Sequence, residues 1–452
     1  MNKKILFTPV GGTDPMSEVN DHDGPIIHIA RHYKPDTICL YMSKEILEKQ
    51  KQDDRYRYCI RKLGEQLGHT FEIVEIERPQ LEQVQLFDPI YTDFETILDD
   101  ITSKLDDTDE LLLNISSGTP AMKSALLVLA TMIDIPCKCI QVDTPQKGMN
   151  EHRHDKKDGF LPEERWELNW DNTYQPGDEN YNRTHEETLI SLKRLKYEEV
   201  IKKYVNNYNY HAALLLAESM SAEHTQRYID KLKLADARQK LNFYGVDDLI
   251  KKENKEIFSP VRTEKKRMAY EYMLALQTRV AKGEYADFLR GISPIYIDLL
   301  EDILLKHAKF DISKYTVLRN KMTQWDINKL SESKENFKKI LDDAYKGRGK
   351  FDGGWVKSDH LVKLIEALIT ENTNPKLIEC IKALRKIEET ARNIAAHQMT
   401  ELSDQEIKNI TGRTCKEIIL LIRQAFSYTS YNIKSDYWNS YDAMNEDIIN
   451  SI

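Results

Sequence analysis

Apolar residues in the first third of the chain fall into short runs separated by longer amphipathic segments. Five runs rich in β-branched or large apolar residues predict strands at 5–9, 37–42, 71–76, 111–115 and 137–142. Segments with apolar residues at the helical period lie between them, at 25–33, 43–67, 93–105 and 120–133. Strands that alternate with helices predict a Rossmann-like α/β domain, with a parallel or mostly parallel sheet covered by helices on both faces.

The pattern changes after a polar, irregular stretch at about 150–187. From about residue 188 the apolar positions follow the helical period, which predicts an all-α remainder. The clearest predicted helices are 224–239, 263–280, 295–307, 312–322, 331–344, 358–369, 375–397 and 404–428. We therefore predict three domains: an α/β domain at 1–165, a helical connecting domain at 166–290 and a second all-α domain at 291–452.

Composition places the chain among ordinary globular proteins. It has 452 residues, 40% hydrophobic and 31% charged, and a net charge of −9, which argues against broad affinity for nucleic acid. Since no apolar run approaches about 18 residues, we expect no membrane span and no stable membrane contact. The apolar run at the N-terminus is too short for a signal peptide. Six cysteines lack CxxC or zinc-ligand spacing, so we expect reduced thiols, no metal site and a cytoplasmic protein.

Two loops after predicted strands carry chemistry that suits a phosphate ligand. Gly11, Gly12, Thr13 and Asp14 follow the first strand, and Asn114, Ser116, Ser117, Gly118 and Thr119 follow the fourth, ahead of a helix that carries Lys123. Glycines permit close backbone approach, and N–H groups at a helix N-terminus attract phosphate. A plain strand–helix turn is the alternative for either loop alone. The GxGxxG and Walker patterns are absent, which argues against a nicotinamide dehydrogenase or an ATPase.

A second candidate site lies near the end of the predicted helix 375–397. Helical winding places Arg392, Asn393 and His397 within about 140° of one another, opposite an apolar side. The apolar side is formed by Leu377, Ile381, Leu384, Ile387, Ala391, Ile394 and Ala395. A guanidinium, an amide and an imidazole together suit phosphodiester cleavage. An ordinary solvated face is the alternative, because Arg385, Lys386 and Glu389 lie on the same side.

These motifs, taken together, resemble a known family. The glycine loop and the strand–Ser-Ser-Gly-Thr-Pro–helix unit look like a CARF domain, and Arg392 with His397 looks like the active motif of a HEPN ribonuclease. In this order the chain resembles a CRISPR-associated CARF–HEPN ribonuclease of the Csm type. The resemblance implies a CARF domain at 1–165 and a HEPN domain at 291–452, and it is vague between them.

The resemblance also implies an activity and its control. Our hypothesis is that His397 acts as acid or base, Arg392 stabilises the phosphate charge and Asn393 orients either group. Attack by the 2′-hydroxyl of single-stranded RNA needs no metal and leaves a 2′,3′-cyclic phosphate. The family implies a homodimer with a composite HEPN cleft, and paired CARF domains that bind a cyclic oligoadenylate as activator, with no other cofactor.

The residues do not determine the ring size of the activator. Resemblance favours the hexa-adenylate over the tetra-adenylate, and some family members slowly cut their activator in the CARF pocket. The family further implies a functional link to a type III interference complex without required stable binding.

Two other functions compete with this interpretation. A CARF-containing, nucleotide-sensing transcriptional regulator would need a helix-turn-helix with a basic recognition helix, whereas the end of this chain, 436–447, is acidic. A HEPN-fold binding module or toxin without CARF control is disfavoured by the Ser-Ser-Gly-Thr-Pro unit.

Overall fold

The chain divides into two compact units, Met1–Lys196 and Tyr197–Ile452. The computed structural model describes residues 3–106, 108–132, 137–145, 159–320, 322–333, 336–345, 351, 353–369, 374–397 and 402–452, with the side chains of 252 and 392–397 left outside the description. Among the helices so described, none combines the length and the apolarity that a bilayer span needs.

A six-stranded sheet forms the centre of the first unit, in the order β3-β2-β1-β4-β5-β6. Its strands are β1 Lys4–Pro9, β2 Thr37–Ser43, β3 Glu72–Arg78, β4 Glu110–Asn114, β5 Cys137–Val142 and β6 Thr184–Glu187. The first five are parallel, as the alternating pattern predicts, and β6 runs antiparallel to β5. β6 was not predicted, because Thr-His-Glu-Glu has no apolar pattern and the strand lies at the edge of the sheet.

Helices cover both faces of this sheet. They are α1 Pro25–Tyr33, α2 Lys44–Asp53, α3 Arg55–Leu67, α4 Phe87–Thr102, α5 Pro120–Met132 and α6 Pro162–Leu168. One core cluster lies on the side of α1, α2 and α3, and the other on the side of α4 and α5. The single helix predicted at 43–67 is wrong: Asp54, at φ 55°, ends α2 and begins α3. Aspartate tolerates this left-handed conformation better than most residues.

The second unit is helical around one continuous core. Its helices follow from α7 at the border of the units: α7 Ile190–Asn206, α8 Tyr210–Glu218, α9 Ala222–Thr225, α10 Ile229–Gln239, α11 Phe243–Leu249, α12 Lys255–Phe258, α13 Glu264–Ala281, α14 Tyr285–Arg290, α15 Ile292–Ala308, α16 Ile327–Ser331, α17 Phe337–Ala344, α18 Ser358–Leu368, α19 Pro375–His397, α20 Asp404–Thr411, α21 Cys415–Tyr428 and α22 Ser440–Ile449.

A β-hairpin replaces the helix predicted at 312–322, so that prediction is wrong. After a short 3₁₀ turn, β7 Thr316–Arg319 pairs antiparallel with β8 Met322–Trp325. Threonine and valine favour strands, and Asn320, at φ 48°, supplies the left-handed residue of the turn. Three other predicted helices are interrupted. The helix predicted at 224–239 breaks at 226–228, between α9 and α10. The helix predicted at 331–344 begins only at Phe337, and the one at 404–428 breaks at Gly412, at φ 80°.

Residues beyond 165 continue to build the first unit. Trp166 in α6 packs against the core beside α3, and β6 closes the sheet at 184–187. The domain borders predicted at 165 and 290 stay predictions.

Candidate functional site

The two glycine-containing loops meet at one edge of the sheet. β1 and β4 are neighbouring parallel strands, so the loops that follow them leave at the same carboxyl edge. A Cβ built on Gly11 would lie only 2.7 Å from the backbone nitrogen of Gly118, and Gly118 itself has φ +83°. The structure therefore brings together two stretches about 100 residues apart, at a closeness that glycine permits.

Asp14 holds the first loop together from inside. It is buried, with Oδ2 accepting from the Gly11 N–H at 2.9 Å and Oδ1 accepting from the Ile26 N–H at 3.1 Å. Burial raises the pKa of Asp14 to about 6, against the lowering effect of these bonds, of a bond from Ser117 and of the Lys123 charge. Both carboxylate oxygens are engaged within the protein, so Asp14 shapes the loop.

Asn114 holds the second loop together in the same way. Its buried amide group donates to Thr8 Oγ1 and to Ser117 Oγ, both at 2.9 Å. Its Oδ1 accepts from the N–H groups of Ser116 and Ser117 at 2.9 and 3.3 Å. Ser116 Oγ in turn accepts from the Val142 N–H at 2.7 Å, which joins the loop to the end of β5.

The residues Gly11 to Asp14 and Ser116 to Thr119 form the rim of the site. This rim offers fewer groups to a ligand than the sequence suggests. Thr119 Oγ1 donates to the Val84 carbonyl at 2.6 Å, so its hydroxyl proton is used within the protein. Gly12 and Thr13 are exposed, and Lys123 is half-buried one turn into α5. A hydroxyl, an ammonium and backbone at a helix N-terminus are groups that bind phosphate.

A buried ionic network lies behind the first loop and was missed by the sequence analysis. Arg31 holds Asp23 through two bonds of 2.7 and 3.0 Å, while Asp171 accepts from His22 Nδ1 at 2.8 Å and from Arg183 at 3.1 Å. Burial alone would raise the pKa of Asp171, but the bonds from His22 and His28 and the Arg183 charge hold it well below its ordinary value. The network ties residues 165–183 to the residues that follow the first loop.

A metal ion does not suit this network. Donor atoms of Asp23, His28 and Asp171 lie within 4.8 Å of one another. However, His28 Nε2 accepts from the Arg183 N–H at 3.0 Å, so the proton of a neutral His28 sits on Nδ1, the nitrogen that faces the carboxylates. A cation there would also face two guanidinium groups, so the contacts favour a structural role.

Little in the sequence indicates this network. His28 and Arg31 sit among isoleucines on the buried face of α1, which marks them as polar groups that need partners. Arg31 pairs with the nearby Asp23, but the partners of His28, which are Asp171 and Arg183, lie some 150 residues away and no local pattern connects them to it.

Helix α19 carries the second candidate site. Its predicted apolar side is confirmed for Leu377, Ile381, Leu384, Ile387 and Ala391, all of which are buried. The backbone of the helix continues to His397. The side chains of the predicted catalytic residues, Arg392, Asn393 and His397, lie outside the described residues, as do those of Ile394 and Ala395.

Glu388, one helical turn before Arg392, is a buried carboxylate that the sequence analysis missed. It accepts from Ser293 Oγ in α15 at 2.7 Å and from Ser358 Oγ at the start of α18 at 3.0 Å, and it pairs with Arg385. The side chain of Glu388 is fully buried. These bonds fix the rotation of α19 against two neighbouring helices.

Family comparisons agree with both halves of this architecture. The Cas_Csm6 CARF domain matches residues 71–183, the CRISPR-associated protein Csm6 6H domain matches 188–239, and the Cas_Csm6 HEPN domain matches 258–449. The HEPN match occupies the region in which a transcriptional regulator would need its helix-turn-helix, so that alternative is not favoured.

Whole-length relatives and a solved structure give the same result. A CRISPR system endoribonuclease Csm6 of Mycobacterium tuberculosis is 27% identical over 99% of this chain and 98% of its own length. One of Enterococcus italicus is 25% identical over 93% of each chain. The structure of Enterococcus italicus Csm6 bound to cyclic hexa-2′-fluoro-hexa-dAMP has the same fold, with a TM-score of 0.67 and 22% identity over 99% of this chain and 100% of that one.

The sheet with its paired loops, the helical second unit and these matches define a CARF–HEPN protein of a CRISPR system. Within that class, the chain belongs to the Csm6 family.

Proposed function

We propose that this chain is an endoribonuclease of type III CRISPR defence whose cleavage of single-stranded RNA is switched on by a cyclic oligoadenylate. The observation that carries the proposal is the HEPN match across α19, the helix that bears Arg392 and His397. Relatives that match over the whole length are endoribonucleases by name.

The proposed cleavage needs no metal and no cofactor. His397 moves the proton of the RNA 2′-hydroxyl or of the 5′ leaving oxygen, Arg392 stabilises the added negative charge on phosphorus, and Asn393 orients one of them. The 2′-oxygen attacks the adjacent phosphorus, the bond to the 5′-oxygen breaks, and the product ends in a 2′,3′-cyclic phosphate. DNA lacks the nucleophile and is not cut.

The proposed activator binds at the rim formed by Gly11 to Asp14 and Ser116 to Thr119. Support comes from the contact between the two loops, the exposed Thr13 and the nearby Lys123. We favour cyclic hexa-adenylate because the Enterococcus italicus protein was solved with a cyclic six-residue analogue. Slow cleavage of the activator at this rim is part of the proposal. The 2′-fluoro analogue lacks the 2′-hydroxyl nucleophile, so it should stay intact while the natural activator is slowly cut.

The proposed working form is a cytoplasmic homodimer. One Arg–His pair per chain is a sparse active site, and two chains would place two pairs in one cleft. A two-fold ligand also suits a two-fold interface between CARF domains. The link to the interference complex is then the diffusible activator, with no stable contact required.

A single panel tests both ends of the chain. RNA cleavage is measured in EDTA with cyclic tetra-adenylate, cyclic hexa-adenylate or no activator, with end-group analysis of the products. We expect cleavage with the hexa-adenylate only, and cyclic phosphate ends. Loss of cleavage in EDTA would point to a metal-dependent nuclease, and cleavage independent of any activator would remove the proposed control.

The matched variants are His397→Ala and Lys386→Ala, both on α19. We expect the first to reduce cleavage at least a hundredfold, as loss of a general acid or base does. Lys386 is exposed, so its variant should cut at the rate of the unaltered protein. Equal rates for the two variants would show that His397 is not catalytic.

A further inference from the structure

The hairpin of β7 and β8 gains a third strand from the segment that precedes α18. Gln324 of β8 lies directly opposite Trp355 in an antiparallel bridge. A backbone hydrogen bond on each side of this pair, 2.9 and 3.0 Å long, joins the two segments. Together, β7, β8 and residues 354–356 form a small antiparallel sheet, which we call the hairpin sheet.

The two faces of the hairpin sheet have different surroundings. Side chains alternate between faces along each strand, so Trp325 and Val356 point to one side and Trp355 to the other. Trp325 is 4% exposed and its indole N–H donates to His360 Nδ1 at 2.9 Å, and Val356 packs on the core of the second unit. Trp355, by contrast, is 38% exposed. The side of Trp355 is therefore the solvent face of the sheet.

The solvent face combines one indole ring with two cations. The pairing register assigns to it Val317, Arg319, Met322, Gln324, Trp355 and Lys357. Lys357 is included because its extended backbone, at φ −120° and ψ 152°, continues the alternation from Trp355. Of these six residues two are positively charged and none is acidic. Within the described part of the chain, neither Arg319 nor Lys357 has a carboxylate partner.

Hydrogen bonds place the hairpin sheet beside the end of α19 that bears the proposed catalytic residues. Ser358, which follows Lys357 and begins α18, donates to Glu388 Oε2 at 3.0 Å. Glu388 precedes Arg392 by one helical turn, about 6 Å along the axis. The backbone that carries Trp355 and Lys357 therefore leads directly to the last turns of α19.

We propose that the solvent face of the hairpin sheet binds single-stranded RNA beside the cleavage site, with Trp355 stacked on one base and Arg319 and Lys357 on backbone phosphates. The inference rests on the proposed endoribonuclease function and names residues that hold its substrate. Exposed aromatic rings on sheet faces stack bases in single-strand-binding proteins, and neighbouring cations follow the phosphates. Because every base has a π-face, such a contact tolerates different sequences.

Charge and size favour RNA over a protein as the occupant of this face. A net charge of −9 over the whole chain repels RNA, so a local cationic face beside the active site is required to hold it. The face has six residues, whereas a standard protein–protein interface takes about 20–30 residues on each side.

The test measures RNA binding separately from cleavage. A fluorescein-labelled 2′-O-methyl RNA of about twelve nucleotides lacks the 2′-hydroxyl nucleophile and fits a typical single-strand site. It is titrated with the full-length protein, with and without cyclic hexa-adenylate, and followed by anisotropy. We expect Trp355→Ala to raise the Kd about tenfold, as the loss of one base stack does. Trp170→Ala, which removes a more exposed tryptophan of the first unit, should leave the Kd unchanged.

The phosphate contacts are tested by the salt dependence of the same titration. Arg319 and Lys357 are exposed, so Arg319→Gln and Lys357→Gln should keep the melting temperature of the unaltered protein. Each should reduce the slope of log Kd against log salt concentration by about 0.7, the contribution of one phosphate contact to a single strand. Lys203→Gln, an exposed change on α7, should leave the slope unchanged.

Three results would overturn the inference. They are a Trp355→Ala protein with an unaltered Kd, an unchanged salt slope in both cation variants, and an unaltered protein that binds no RNA under either condition. Variants that change the sedimentation of the protein but not its RNA affinity would assign the face to contacts between copies of the chain, which also overturns it.

Binding and cleavage distinguish this inference from the proposed function. If the unaltered protein cuts no RNA but the three variants weaken RNA binding as expected, the endoribonuclease proposal is wrong and the RNA-binding face stands. If the protein cuts RNA and the variants bind it as the unaltered protein does, only the present inference is wrong.

Discussion

At the residue scale, the polar side chains of the two loops divide into those that build the loops and those that face outward. Asp14, Asn114 and Ser116 are bonded within the protein, and Thr119 donates its hydroxyl proton to a backbone carbonyl. Substituting any of them changes the loop as well as any contact with a ligand. Thr13 and Lys123 are therefore the better probes of the proposed activator site.

We expect Thr13→Ala and Lys123→Gln each to raise the activator concentration for half-maximal RNA cleavage about tenfold, since a hydrogen bond to a charged phosphate contributes about 1.5 kcal/mol. The melting temperature should not change, because neither side chain supports the fold. Lys104→Gln, an exposed change just after α4, serves as control. Unchanged activation by both probes would place the activator elsewhere.

Asp14 gives a pH dependence of stability with a defined sign. Its pKa is about 6 in the fold and near 3.8 in the unfolded chain, so the folded state binds the proton more tightly. The resulting stabilisation is present below pH 4, is lost as the pH rises to about 6 and stays lost above it. The difference of roughly 2 pKa units corresponds to about 3 kcal/mol.

Asp14→Asn removes this titration, so the stability of the variant relative to the unaltered protein should rise between pH 4 and pH 6. Urea unfolding at half-unit intervals measures it, with Asp99→Asn as an exposed control. A relative stability that is constant across this interval would show that Asp14 ionises at its ordinary pKa.

At the element scale, α19 links packing to the proposed chemistry. Its apolar side is buried in the core, and Glu388 joins it to α15 and α18 on a different face. Arg392 lies one turn further along the same helix. The bonds of Glu388 therefore fix the rotation of the helix backbone from which Arg392 projects.

We expect Glu388→Ala to destabilise the protein by about 3 kcal/mol, since it leaves Arg385 and two hydroxyls without their buried partner. RNA cleavage should fall with it, while Glu388→Gln, which keeps the shape and can still accept from one of the two serines, should retain part of both. Glu389→Ala, an exposed change at the next position, should leave both unchanged. Thermal unfolding and initial cleavage rates measure the two effects, and a stable, fully active Glu388→Ala protein would contradict the assignment.

At the scale of the whole molecule, the proposal requires two chains for one active cleft. A tenfold excess of His397→Ala protein, mixed with unaltered protein and allowed to exchange subunits, should therefore suppress RNA cleavage well below the value for unmixed protein. An excess of the Lys386→Ala protein should instead add its own activity. Cleavage that is unaffected by the His397→Ala chain would mean that each chain works alone.

Local periodicity was enough to determine much of the architecture. The five parallel strands and the buried side of α19 follow from alternation and helical spacing, because each pattern reflects which side of an element is buried. The geometry of parallel strands places both glycine loops at the carboxyl edge of the sheet, whereas their contact depends on the strand order. The family resemblance followed from the order of two motifs along the chain.

Only the tertiary structure decided the features that depend on partners distant in sequence. The edge strand β6 forms because β5 offers it unpaired backbone groups, and the hairpin at 316–325 overrides an apparently helical pattern. Asp171 and Glu388 acquire their roles from Arg183, Ser293 and Ser358, which no local pattern connects to them. A sequence shows that a polar residue on a buried face needs a partner, but the partner is determined by how distant segments pack.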